Sequence, residues 1–187
     1  MSEPIEPDLD PDTLREVYPD PDAVRARIDE LRAEVRTAAD ETGELLARGE
    51  MVALLRGLGD LDDALAEGKR AADRAEMVGT RPQQHLARLR LATVHQRRGE
   101  FAESNLIFTE LLNASTQFGP VIEAFTQQYA GTNSYDQGHF ADAREHFARA
   151  LAIREQYELP QDQLAGSRLA LAAAERRLRP DGEDGTA

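Results

Sequence analysis

The sequence predicts an all-α chain, built as a short right-handed helical-repeat solenoid of three helix pairs with one flanking helix at each end. Three observations predict it. Residues 120–160, PVIEAFTQQYAGTNSYDQGHFADAREHFARALAIREQYELP, read as two antiparallel helices joined by a tight turn at Asp136-Gln137-Gly138. Earlier stretches are weaker copies in the same register: Gly138 is matched by Gly99 and Gly59, Phe140 by Phe101 and Leu61, Ala143 by Ser104 and Ala64, Phe147 by Phe108 and Gly68, with Pro160, Pro120 and Pro82 as punctuation. Gly138 follows Gly99 by 39 positions and Gly99 follows Gly59 by 40. A fixed period in this range is the mark of stacked helical units, each unable to bury its apolar face alone.

The elements follow in order. Residues 1–20 are rich in Pro, Asp and Glu, bury too little to offset ordering entropy, and are expected to form a disordered acidic tail. Asp8, Asp10 and Asp12 alternate like the start of a calcium loop, but Thr13 stands where that loop needs Gly and no Glu closes it. A capping helix is expected over 21–41, with Asp20 as N-cap and Pro21 in its first turn. Val24, Ile28, Leu31 and Val35 make one apolar stripe on it. The stripe suits a terminal cap of the array; the alternative is a homodimer seam through this helix.

The repeat domain is expected over 42–178. Thr42-Gly43 breaks the pattern, and the first pair follows near 44–57 and 60–78, with Asp60 as N-cap, Asp62 and Asp63 in the first turn and Gly79 as stop. Thr80 caps the next helix, with Pro82 just inside it, to about Arg98; its partner runs from Glu100 to about Gln117. Phe118-Gly119-Pro120 separates this pair from the third, near 120–136 and 140–158. A last helix opens at Pro160 and carries Leu164, Leu171 and Leu178 on one face. Residues 179–187 form a polar tail, expected to be disordered.

Composition bounds the chemistry. At 187 residues, roughly 70% of the unfolded chain's surface can be buried without a covalent staple. There is no Cys, hence no disulfide, thiolate metal site or Cys nucleophile. No apolar run approaches the roughly 20 residues that span a bilayer, and the N-terminus has neither the basic nor the apolar part of a signal peptide, so the expected location is the cytoplasm. A net charge of −13 opposes binding to nucleic acid and anionic membranes. The strong preference for Arg, with Lys69 as the one Lys, reads as codon bias of a GC-rich genome.

The small and large positions of the pairs resemble the tetratricopeptide repeat family over about 44–178. The small positions are Gly131, Ala143 and Ala150 in the third pair, Ala92, Ser104 and Leu111 in the second, and Val52, Ala64 and Ala71 in the first. The large ones are Phe140 and Phe147, Phe101 and Phe108, and Leu61 and Gly68. Helices approach closely only where side chains are small, and a ring plugs the remaining groove. Leu111, Val52 and Gly68 depart from the family pattern, and the period is longer than the family's usual repeat of about 34 residues. The longer period suggests long helices as in bacterial variants of the family, and HEAT-like pairs remain an alternative.

Catalytic motifs fail. There is no GxSxG elbow and no GxxxxGK[ST] loop, and Gly57 and Gly59 form a GxG that follows a helix rather than a strand. Asp136, His139, Asp142 and His146 are close in sequence, but the two His are about two turns apart and no metal site is expected. Neither enzyme activity nor a cofactor is expected. The informative feature is the first helix of the second pair, PQQHLARLRLATVHQRRG, with Arg88, Arg90, Arg97 and Arg98 and no acid.

The resemblance implies that the first helix of each pair lines a concave surface. By register its partner-binding positions are Leu86, Leu89, Arg90, Thr93, Gln96 and Arg97 in the second pair, Phe125, Gln128, Tyr129, Thr132 and Tyr135 in the third, and Ser167, Arg168 and Leu171 on the last helix. Guanidinium, amide, hydroxyl and aromatic groups together suit an acidic peptide. The Lys and Asn set of the family's chaperone-binding clamp is missing, although Arg90 and Arg168 occupy comparable positions. The expected function is therefore a non-enzymatic adaptor or scaffold for a protein or peptide partner; the alternative is a regulator that responds to a peptide or small ligand. Against a binding role for the arginines stands their pairing with acids such as Glu67, Asp73 and Glu103 on the second helices. The acidic tail from Glu3 to Asp22 also suits the basic part of the groove, in its own chain or a second copy.

Overall fold

The structure is a computed structural model and describes residues 7–179. The expected tails over 1–6 and 180–187 lie outside the described residues. Within them, eight α-helices follow one another: α1 (Pro21–Thr37), α2 (Glu41–Leu58), α3 (Leu61–Val78), α4 (Arg81–Arg98), α5 (Phe101–Ser115), α6 (Pro120–Asp136), α7 (Phe140–Gln156) and α8 (Gln161–Leu178). A 3₁₀ turn, Thr116–Phe118, follows α5. No helix among the described residues is long and apolar enough to cross a membrane.

The helix pairs repeat down to their backbone hydrogen bonds. Gly59, Gly99 and Gly138 all adopt left-handed φ, near +84°, +75° and +77°. Each donates its N–H to the carbonyl three residues back, Arg56, Gln96 and Tyr135, and the next residue donates five back, Asp60 to Leu55, Glu100 to His95 and His139 to Ser134. This is one helix-ending motif used three times, and only glycine enters it without steric cost. The next helix then starts on a backbone carbonyl: Asp60, Glu100 and His139 accept from Ala64, Ser104 and Ala143. The side-chain cap expected at Asp60 is not made. At Thr80 the Gln83 side-chain carbonyl takes both the Thr80 N–H, at 2.8 Å, and its hydroxyl, at 2.9 Å.

By its contacts the chain divides into two compact units. The first takes residues up to Asp10 and Arg15–Leu111; the second takes Pro11–Leu14 and the chain from Leu112 onward. In the first, α1 packs on α2, α2 on α3, and α3 on α4, with α2 also touching α4. Val24, Ile28 and Leu31 of α1 join Ala47, Met51, Val52, Leu54 and Leu55 of α2, Ala64 of α3 and Val94 of α4 in one core. The apolar stripe of α1 thus packs inside its own chain. α2 runs through Thr42 and Gly43, where a break was expected, because the Asp40 carboxylate accepts the Gly43 N–H at 2.7 Å and starts the helix early. At Gly68, where the other pairs have Phe, a Cβ would lie 3.3 Å from Leu91 Cδ1, so α4 fills the groove that a ring fills elsewhere.

The segment 7–20 is not the featureless tail expected from its composition. Asp8–Leu9 and Glu16–Val17 form a short antiparallel pair, β1 and β2, with Asp8 opposite Val17 and Leu9 opposite Glu16. Glu16 pairs with the buried Arg56 of α2. Tyr18 lies against Gly57, where a Cβ would come within 2.4 Å of its ring. A few anchors, rather than average hydrophobicity, order this stretch.

In the second unit α6 packs on α7, α7 on α8, and α6 also touches α8. Ala143, Phe147 and Ala150 are buried at helical spacing on α7. A Cβ on Gly131 would sit 2.6 Å from two atoms of the Phe147 ring. Leu164 is buried on α8 but Leu178 is exposed, so the apolar stripe expected there ends a turn early.

Two glycine substitutions test this packing. Alanine favours a helix, so Gly166→Ala in α8, where an added Cβ meets nothing within 4 Å, should stabilise by roughly 0.5–1 kcal/mol. Gly131→Ala should instead destabilise by about 1–3 kcal/mol because the Phe147 ring cannot give way in a filled core. Urea unfolding of the two variants reads both signs; a stabilising Gly131→Ala contradicts the crossing at this position.

Candidate functional site

The positions assigned to a partner surface divide between the two units, and the structure treats them differently. On α4, Leu89, Thr93 and Gln96 are buried and do not present a surface. The Thr93 hydroxyl donates to the Arg90 carbonyl at 2.7 Å. Leu86, Arg90 and Arg97 are half-buried. The Arg90 guanidinium lies across Gly49 of α2, where a Cβ would be 2.7 Å from its central carbon. Arg88 and Arg98 of α4 are tied to acids: Arg88 pairs with Glu110 of α5, and Arg98 with Asp62 of α3 and with Glu100. Glu67, considered above as a partner for α4, is engaged by Arg48 and Arg70 instead. The charge contrast read from α4 is therefore partly structural.

A cleft of about 220 Å³ opens among α1, α2 and α3, with Val35, Met51 and Leu55 in its wall and Arg32, Arg48 and Arg70 at its edge. These arginines already pair with Asp29, Glu44 and Glu67. Arg36 and Asp63 also line it.

The second unit is more informative. On α6, Phe125 and Tyr129 stack with ring centroids 6.4 Å apart and planes 17° from parallel; both are half-buried. Gln128 lies between them in sequence, and the Thr132 hydroxyl donates to its backbone carbonyl at 3.1 Å. The Gln128 side-chain oxygen accepts from Ser167 of α8 at 2.6 Å and from Arg154 of α7 at 3.0 Å. Arg154 also donates to the Gln163 backbone carbonyl and the Ser167 hydroxyl, and stands 5.4 Å from the centre of the Phe125 ring. Arg168 is exposed and pairs with Glu155 at 2.8 Å; Leu171 is half-buried.

Ser167 is fully buried and takes part only as a support for this cluster. Tyr135 is also covered, at 6% exposure. Its hydroxyl donates to the Asp12 carbonyl at 2.9 Å and its ring meets Phe140 edge-on. Arg176 of α8 donates to the Pro11 carbonyl at 2.7 Å. Leu14, in the same short segment, is buried with φ +55°, a conformation a branched side chain takes only when its surroundings impose it. Residues 11–14 thus cap the Tyr135 end of α6.

Arg154 was missed from the sequence, although a signal existed. It continues the buried stripe Ala143, Phe147, Ala150 at the next helical step, where an arginine is out of place. The histidines do not form a site: His146 Nδ1 is 2.8 Å from the Gln127 side-chain oxygen, and no group of three His, Asp or Glu among the described residues could hold a metal ion.

No family model and no curated protein matches this chain. Among solved structures, the crystal structure of BtubC (BKLC) from P. vanneervenii is similar, with a TM-score of 0.63 at 18% identity over 83% of this chain. The chain spans 66% of the length of that protein. Similarity at this level of identity concerns the fold alone, an all-helical chain whose neighbouring helices pack on one another.

His85 gives this region a pH dependence. It is buried on α4, and burial, with the nearby positive Arg88, lowers its pKa from 6.5 to about 4. Below pH 6.5 the unfolded chain therefore takes up a proton that the folded chain refuses. Stability from this residue is complete above about pH 6.5 and is lost as pH falls toward 4, to the order of 2–3 kcal/mol. Unfolding free energies across that range should fall less steeply for His85→Gln than for the wild type; equal slopes would show that His85 is not buried neutral.

Proposed function

We propose that the chain is a non-enzymatic interaction module, a right-handed solenoid of tetratricopeptide-like helix pairs that binds a segment of a protein partner as an adaptor or scaffold. The observation that carries this reading is the half-buried, stacked pair Phe125 and Tyr129 on the first helix of the third pair, with Gln128 and Thr132 on the same helix and the Arg154 guanidinium against Phe125. Aromatic rings with amide, hydroxyl and guanidinium neighbours give apolar contact area, backbone hydrogen bonds and charge pairing on one face, the mixture that protein interfaces favour. The threefold helix-ending motif and the small residues at the crossings support the repeat architecture.

A second reading, a regulator whose surface is exposed on demand, draws support from residues 11–14. Asp12 already occupies the hydroxyl of Tyr135, a residue the repeat register assigns to the partner face.

Affinity capture from the native lysate tests both, with the full chain as bait and the bound proteins identified by mass spectrometry. Tyr129→Ala/Leu171→Arg should lose the partners that the wild type retains, while Arg90→Glu/Arg97→Glu reports whether α4 contributes. Retention of the same partners by both variants would remove this face from consideration. Deleting residues 1–19 should raise partner retention several-fold if residues 11–14 cover part of the surface; unchanged retention sinks the regulatory reading. The deletion also removes Glu16 from buried Arg56, at a cost of about 3–5 kcal/mol, so capture must be run in the cold, below the variant's unfolding transition.

A further inference from the structure

The described residues contain two buried arginines, Arg56 and Arg154, at 6% and 3% exposure. A guanidinium stays charged at any physiological pH, and a charge removed from water needs a counter-charge or a full set of hydrogen bonds. Arg56 has its counter-charge: the carboxylate of Glu16, supplied by an extended acidic segment. Arg154 has none. All three of its hydrogen bonds leave from Nη1 and end on neutral oxygens, those of the Gln128 side chain, the Gln163 backbone and the Ser167 hydroxyl. Its Nε is buried without an acceptor. On Gln163, whose backbone carbonyl Arg154 already holds, the side-chain oxygen is buried without a donor.

These two unsatisfied atoms are complementary in kind to one ligand. Arginine Nε and the adjoining terminal nitrogen form the fork that grips a carboxylate, and an amide oxygen lacking a donor suits a peptide N–H. We propose that Arg154 anchors a carboxylate of the bound segment, and that Gln163 accepts a backbone N–H of the same segment. The proposal rests on the reading of this face as a peptide-binding surface and gives that surface its ligand chemistry: an acidic peptide. The half-buried Gln163 side chain admits it by swinging outward, which breaks no hydrogen bond at its oxygen. Burial also acts against the charge of Arg154, lowering its pKa, so an arriving carboxylate relieves a cost already present. Phe125, under the guanidinium, holds the fork in place. Glu16 on Arg56 is the same arrangement completed within the chain.

The experiment uses the full chain and the capped residue acetyl-Glu-methylamide, with acetyl-Gln-methylamide as its uncharged twin. The readout is the Nε–H resonance of Arg154, assigned by its loss in Arg154→Met. A saturable shift with the Glu compound, and none with the Gln compound or with sodium chloride at equal ionic strength, is the expected result. Arg154→Met should be at least as stable as the wild type without ligand, because an uncompensated buried charge gives way to an apolar chain of similar volume. It should gain no thermal stabilisation from the Glu compound. A resonance that does not move, or moves equally with chloride, overturns the proposal, and so does an Arg154→Met variant that loses stability and shows the charge to be a structural clamp. Partners captured equally by wild type and Arg154→Met overturn the anchor while leaving the interaction reading intact. A carboxylate-specific shift with no captured partner supports the site and removes the adaptor reading.

Discussion

Each helix pair depends on how closely its two helices cross. On the second helices the crossing is made by Ala64 and Ala71, by Ser104, and by Ala143 and Ala150, all buried and all small. Backbones approach, and the groove beside the contact is plugged by one large group: Phe147 against Gly131 in the third pair, and Leu91 borrowed from α4 above Gly68 in the first. Because interiors are packed like crystals, the position of the plug sets the position of everything on the opposite face of the pair. On α6, Gly131 meets Phe147 of α7, and Gln128 and Phe125 meet Arg154, which continues the same stripe of α7. The candidate surface is thus a consequence of the crossing.

This explains what was legible in the sequence. Turns and crossings have strict chemical requirements, so Gly59, Gly99 and Gly138, and the small residues that follow each at fixed spacing, showed the helix pairs directly. Where requirements were compensated by a neighbour the reading slipped. The Asp40 side chain carried α2 through Thr42-Gly43, and the Asp60 side chain makes no cap. Segment 7–20 has the composition of a disordered chain, but its order comes from three local partners, Arg56, the open space at Gly57 and Tyr135, that no composition records.

The site was legible by register and only partly by chemistry. Leu89, Thr93 and Gln96 fall on the face of α4 that the register assigns to a partner, yet they are buried. Charge was the poorer guide. The conspicuous arginines of α4 include Arg88 and Arg98, already tied to Glu110, Asp62 and Glu100, while the inconspicuous Arg154 stands in an apolar stripe. An exposed ion pair adds little free energy whether or not it forms, so clustering on a helix surface carries little information. A charge at a core position carries much more, because it is costly unless something answers it.

Arg56 and Arg154 differ in that respect, and the difference bears on why an acidic chain keeps buried cations at all. In each case a guanidinium sits at a buried position where an apolar residue is the usual occupant. At Arg56 the charge orders an acidic segment that has little else to hold it, converting chain that composition marks as disordered into a β1–β2 pair with Tyr18 seated on Gly57. At Arg154 the hydrogen bonds to Gln128, Gln163 and Ser167 join α6, α7 and α8 but leave one edge of the guanidinium unmatched. An extended acidic segment is what such an edge can hold, and the chain already contains one example of that pairing. On the proposed reading, specificity for acidic segments, rather than stability, is what the two positions share.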